Sequence, residues 1–326
     1  MKRIMKITAI AILSIMSVCG GSYLTSKDSP WTITNNSTDK TNLSWAKFEW
    51  TNDTLNGKYF ERTSMQIPCK IDGLANNFTF QFDLGANSTG VYENTFSSFY
   101  KQNPELENKV KFPLNSRLQF WWSWKNLENM NLYFGDYIAT NKAAYIYKNH
   151  GKKIENINPE DTIHLGTVGV DIFKDRVLII DYPNRQFAVC ENVPKNYQSN
   201  FVDIEITKKG KVLLPMTIHG KKYRIMFDNG SSIFPIITLA KNISNYSTSA
   251  DIDTIKVSSW GQMHDVTGKL IKDTFELAGQ KFNNVKVYSN HTGLGTDQST
   301  DGMTGNALFW DRTIVIDFKN KKFGVQ

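Results

Sequence analysis

Apolar positions in this chain fall in short runs closed by turn residues. Residues 78–82 and 223–227 are apolar or alternating runs of this kind, and each predicts a strand. Residues 177–180 and 314–316 are β-branched and apolar throughout, the pattern of strands buried on both faces. The stretches after them, Tyr182-Pro183-Asn184-Arg185-Gln186 and Phe318-Lys319-Asn320-Lys321-Lys322, carry the chemistry of turns between closing strands. Short helices are expected at 171–174 and 307–310. The pattern predicts an all-β-dominated chain with a few short helices.

The same pattern occurs twice. Ile67-Pro68-Cys69-Lys70-Ile71-Asp72-Gly73 matches Leu214-Pro215-Met216-Thr217-Ile218-His219-Gly220, and each copy leads into a short run ending in Phe-Asp, at Asp83 and at Asp228. Further on, residues 169–190 match residues 305–326 over 22 positions without a gap. Asp175-Arg176 aligns with Asp311-Arg312, and Asn184 with Asn320. This period is far too long for a solenoid and predicts two homologous lobes. The expected division is a lobe at 64–192, a linker at 193–200 and a lobe at 201–326. Residues 23–63 have no counterpart in the second half and form an extension, either a pro-segment or a fixed extra layer of strands.

The N-terminus breaks the repeat. Lys2, Arg3 and Lys6 precede a mostly apolar run at 7–18, followed by Cys19-Gly20-Gly21-Ser22. That run is short for a bilayer span, so residues 1–22 are read as an export signal. Cys19 is the candidate for lipidation, with simple cleavage and an uncleaved anchor as the alternatives. The protein is therefore expected in the cell envelope, periplasmic or on the outer surface, lipid-anchored or secreted. Membrane attachment would run through Cys19 or the N-terminal segment.

Composition narrows the field further. With 326 residues, 40% of them apolar, and 20 Phe, 13 Tyr and 8 Trp, the chain can bury a substantial core. The net charge of +7 invites a nucleic-acid reading, but the basic residues form no long tract and no nucleic-acid motif accompanies them. No nucleic-acid partner is expected. The five histidines are scattered without ligand spacing, so neither a metal nor another cofactor is expected. Cys69 and Cys190 are either a disulfide or two buried thiols.

Asp83-Leu84-Gly85-Ala86 and Asp228-Asn229-Gly230-Ser231-Ser232 each follow a predicted strand, and each is followed downstream by a glycine, a short helix and a strand. On these motifs the chain from about residue 65 onward resembles the bilobed aspartic peptidases, the pepsin-like and retropepsin-like group. The resemblance implies two lobes related by a pseudo-twofold axis and an endopeptidase working as a monomer on protein or peptide substrates. Asp83 and Asp228 would be the catalytic pair, with Gly85, Ala86, Gly230 and Ser231 supporting it. Two close carboxyls share one proton, so one serves as acid while the other serves as base. Where the family has Thr or Ser after each Asp, this chain has Leu84 and Asn229. Ser231 can hydrogen-bond the Asp228 carboxylate, whereas Ala86 cannot bond Asp83.

The alternative reading is a non-catalytic envelope protein that binds peptide or glycan between the lobes. Trp121, Trp122 and Trp124 fall where the family carries a substrate-covering hairpin, and Trp260 has a similar place in the second lobe. These four are cleft candidates, or else packing residues. The resemblance also brings the opening and closing segments of a lobe together, which pairs Cys69 with Cys190 as the disulfide candidate.

Overall fold

The computed structural model describes residues 30–37, 43–111, 125–198, 200–259, 262–290 and 300–326. Its described residues build three sheets of eleven, six and ten strands. The eleven-stranded sheet belongs to the first half and the ten-stranded sheet to the second. The six-stranded sheet draws on both.

The two large sheets repeat one strand order. In the first, Lys58–Ile71, Asn77–Phe82, Thr162–Val168, Gly90–Tyr92 and Ala144–Tyr147 lie side by side. In the second, the order is Val212–Ile218, Lys221–Phe227, Gly302–Thr304, Ile236–Leu239 and Val285–Asn290. In both, the strand that ends at the aspartate pairs in parallel with a strand from much later in the chain. That later strand pairs antiparallel on its other side with the strand just after the aspartate loop.

The shared sheet explains the continuous apolar runs. All five residues of Val177–Asp181 are buried. Leu178 and Ile180 face the main core, while Val177 and Ile179 face a second cluster with Ala188 and Val315. Val177–Asp181 pairs antiparallel with Thr313–Asp317, and Ile179 lies opposite Val315. Those two residues are equivalent in the repeat, and the register is symmetric about them: Val177 faces Asp317 and Asp181 faces Thr313. This pairing is the pseudo-twofold relation at strand level. The turns match as well. Asn184 bonds Asp181 through its backbone N–H and its amide, at 3.1 and 2.8 Å, and Asn320 does the same to Asp317, both at 2.8 Å. The expected short helices are single 3-10 turns, Val170–Phe173 and Asn306–Leu308.

The extension is woven into these sheets. Trp31–Asn35 pairs with Tyr137–Asn141, and Ala46–Lys47 with Gln186–Cys190. Glu49–Leu55 forms a hairpin with Lys58–Ile71, and the boundary expected after residue 63 falls inside that second strand. Among the described residues no helix is long and apolar enough to cross a membrane.

The expected disulfide is not formed: Cys69 and Cys190 are free thiols. Cys69 pairs with Phe78 in the first-half sheet, and Cys190 lies opposite Val177 in the shared sheet. Opening and closing segments of the first half therefore belong to different sheets. Burial pushes the Cys69 thiol strongly up and that of Cys190 up to about 11, so both stay protonated.

Candidate active site

Each aspartate leaves the end of a strand and is held by an equivalent backbone bond. The Asp83 N–H donates to the Val168 carbonyl at 3.0 Å, and the Asp228 N–H to the Thr304 carbonyl at 2.9 Å. Val168 and Thr304 are equivalent in the repeat. Each loop then closes on itself: Ala86 N–H reaches the Asp83 carbonyl, and Ser231 N–H the Asp228 carbonyl, both at 3.0 Å. The glycine just past each inner strand permits this packing. A Cβ on Gly305 would lie 1.5 Å from the Ser231 carbonyl oxygen, and one on Gly169 would lie 2.7 Å from the Ser88 carbonyl carbon.

The two loops meet. Gly85 N–H donates to Asp228 Oδ1 at 3.1 Å, and Leu84 N–H to Asn229 Oδ1 at 2.6 Å. In return, the Asp83 carboxylate lies against Gly230, where an added Cβ would fall 2.6 Å from the Asp83 Cγ. Asp83 and Asp228 are both fully buried. Asp83 Oδ1 also accepts the Ala86 N–H at 2.9 Å, and Asp228 Oδ1 the Gly230 N–H at 2.9 Å.

Side chains around the pair differ between the halves. Asn229 carries the cross-loop bond, its amide oxygen doing what a hydroxyl would do. Leu84 instead packs into the main core. Ser231 does not make the bond to Asp228: its Oγ is buried and finds no hydrogen-bond partner among the described residues. Backbone N–H groups of Gly85 and Gly230 occupy Asp228 Oδ1 instead. Behind the second loop, Asn306 donates its amide to the Asn229 carbonyl at 2.6 Å and to Ser232 Oγ at 2.9 Å. The Tyr182 hydroxyl, from the first half, holds Asn306 Oδ1 at 2.6 Å. In the first half Asp171 has the comparable task, accepting the Thr89 N–H at 2.8 Å and its hydroxyl at 2.7 Å. Burial lifts the Asp171 carboxyl to about 6, against the pull of those bonds.

Two residues near Asp83 escaped the sequence reading. Burial raises the phenol pKa of Tyr92 and Tyr147, and the charge of Asp83 adds to it in both. Tyr92 shares a hydrogen bond with the Thr167 hydroxyl at 2.8 Å, and Tyr147 donates to the Ser88 carbonyl. A tyrosine packed in a strand has no sequence mark that separates this position from ordinary packing.

Trp121, Trp122, Trp124, Trp260 and Cys19 lie outside the described residues. Residues 112–124 connect Val110–Lys111 to Asn126–Leu127, and residues 260–261 connect Asp253–Ser259 to Gln262–Ile271. These hairpins are equivalent, since each pairs onward with the matching strand of its sheet. Among the described residues no group of three or more His, Cys, Asp or Glu side chains gathers in a metal-binding arrangement.

No family model matches the chain, and no curated protein matches it in sequence. A solved structure it is similar to is an aspartic proteinase from Irpex lacteus, at 10% identity and a TM-score of 0.45, covering 87% of this chain and 97% of that one. The chain itself is mostly β among the described residues, with two large sheets of matching strand order joined through a third.

Proposed function

We propose that the protein is an aspartic-type endopeptidase that hydrolyses peptide bonds with water activated by Asp83 and Asp228. The observation that carries this reading is the mutual contact of two equivalent loops. Asp228 accepts a bond from the Asp83 loop, and Asp83 lies on the glycine of the Asp228 loop. Acid and base roles on two facing carboxyls require one of them protonated and the other ionised. The ionised member takes a proton from water while the other gives one to the scissile carbonyl oxygen. The substrate is an extended protein or peptide segment bound by β-type backbone pairing. The basic and apolar N-terminal segment supports an exported protein acting in the envelope or outside the cell.

One observation favours a second reading. The cross-loop grip is one-sided, because Leu84 offers no hydroxyl and Ser231 Oγ has no partner among the described residues. A looser pair suits a protein that binds peptide or glycan without cutting it. Incubation with unbiased peptide pools, followed by mass spectrometry, separates the two. Cleavage with an acidic and a basic limb in its pH profile, lost in Asp83→Asn and in Asp228→Asn, supports the peptidase. Binding without cleavage at any pH overturns it.

A further inference from the structure

The hairpin of Glu49–Leu55 and Lys58–Ile71 has a break in its register. Thr51 faces Ser64 and Asp53 faces Phe60, so residues 61–63 stand opposite Asn52 alone. Such a bulge bends the strand and re-aims the side chains within it. Beyond it the hairpin leaves the first half. Leu55 and Phe60 pack against a second-half cluster that includes Ile233, Phe234 and Ile255. Lys58 Nζ lies 3.7 Å from Asp253. Within the bulge, Arg62 is carried over the ring of Trp310, 5.0 Å from its centre. Tyr59, Phe60, Glu61, Arg62, Ile233 and Trp310 together line a cavity of about 330 Å³.

Two charged residues belong to that lining, Arg62 and an exposed Glu61. Arg62 is half-buried and makes no ion pair or hydrogen bond among the described residues. Stacking on an indole holds a guanidinium flat and leaves its N–H edges open to a planar, two-oxygen acceptor. Trp310 Nε1, on the same ring, is buried without an acceptor among the described residues. The cavity lining is close in sequence to residues at the aspartate loops. Ile233 follows Asp228 by five residues, and Met65, three residues past Arg62, lies 3.7 Å from the Asn229 amide. At the rise of a strand three residues span at most about 10 Å, since the bulge bends this stretch, and about three residues of an extended peptide cover that length.

We propose that this cavity is a subsite for an acidic side chain, Asp or Glu, about three residues from the bond lying over the aspartate pair, with Arg62 as its partner. The proposal rests on the reading that the cleft binds extended peptide. A bidentate pair between guanidinium and carboxylate gives the selectivity.

The test uses the full chain and two peptide sets, identical except that one carries Glu and the other Gln at each stepped position. Affinity is measured on the Asp83→Asn variant, and cleavage sites are mapped with the wild type in parallel. The expected result is a preference for Glu at one position of about tenfold or more, weakened by salt. Arg62→Gln is expected to erase the preference while leaving the Gln peptides bound, and Arg62→Lys to keep part of it. Thermal melts confirm that the variants fold. Equal affinity for Glu and Gln, a preference that survives Arg62→Gln, or no peptide binding at all overturns the proposal. Selective binding without cleavage supports the subsite and rejects the peptidase. Cleavage without selectivity does the reverse.

Discussion

The Asp83 and Asp228 loops have the same backbone and different side chains. Each aspartate N–H reaches the equivalent carbonyl, Val168 or Thr304, and each loop closes with the same bond three residues on. The side chain after the aspartate then takes opposite routes. Asn229 turns across to the other loop and accepts the Leu84 N–H at 2.6 Å. Leu84 turns inward and joins the main core. The two halves thus share the backbone frame that brings the loops together, while the side-chain grip across them comes from one half. A backbone frame needs glycine at close approaches and little else, so it tolerates divergence that a side-chain network does not.

The largest expected effect tests whether the halves are equal partners. Asp83→Asn and Asp228→Asn are each expected to lower hydrolysis on the order of 10²–10⁴-fold, the range for loss of a general acid or base. On the proposed peptidase reading the double variant should be no worse than either single one, because the proposed chemistry needs both groups. Single-turnover rates on a cleaved peptide measure this. Strong activity in one single variant would make that half a bystander.

The frame itself is broken next. Gly305→Ala would drive a Cβ to 1.5 Å from backbone, and Gly169→Ala to 2.7 Å. Overpacking of this sort destabilises by about 1–3 kcal/mol, occasionally more. Gly305→Ala is expected to be the worse of the two and to reach or exceed the upper end. Denaturant titration of both variants gives the ranking, and equal losses would mean that the two close approaches are not under the same constraint.

Side-chain divergence is probed by a contrasting pair. Asn229→Ala leaves the Leu84 N–H buried without its acceptor, a loss of about 1–3 kcal/mol. Its effect on kcat should exceed its effect on KM, because the pair is held less firmly. Leu84→Thr removes core packing and buries a hydroxyl, a loss of similar size, about 1–3 kcal/mol. It should lower the melting temperature while leaving the pH profile of activity unchanged. If Leu84→Thr alters that profile and Asn229→Ala does not, the grip has been assigned to the wrong half.

The smallest effect separates the halves by pH. His164 lies in the strand before Asp171, and burial lowers its imidazole to about 4. A depressed pKa gives stability that is present above the unfolded value of about 6.5 and lost as pH falls towards 4. Asp171, raised to about 6, acts oppositely: its contribution is present below the ordinary carboxyl value and lost as pH rises through 6. The equivalent second-half positions, Thr300 and Ala307, do not titrate. His164→Gln should therefore improve stability at pH 4 relative to pH 7, compared with wild type. Melts across that window in which the variant tracks wild type would remove His164 from the account.

Much of the fold was legible because burial on two faces leaves a plain trace. Residues 177–180 and 314–316 read as strands, and they are the paired centre of the shared sheet. Asn184 and Asn320 read as turn residues and make the same turn bonds. The Cys69–Cys190 pairing failed because the closing strand of the first half leaves its own sheet to join the shared one. No local pattern records which sheet a strand enters. Ser231 Oγ makes no bond to Asp228 among the described residues, where Asp228 Oδ1 takes backbone N–H groups from both loops.

By itself the sequence determined the duplication, the strand-rich pattern and the two aspartates at equivalent places. Those are properties of spacing and of residue type, and they survive in one dimension. Tertiary structure alone decided which loop grips which, that Arg62 stands over Trp310, and that the extension reaches the second half. Each of these depends on segments far apart in the chain meeting at a distance of a few ångströms. Such meetings are set by sheet register, by a bulge and by close packing at glycine, none of which has a periodicity to read.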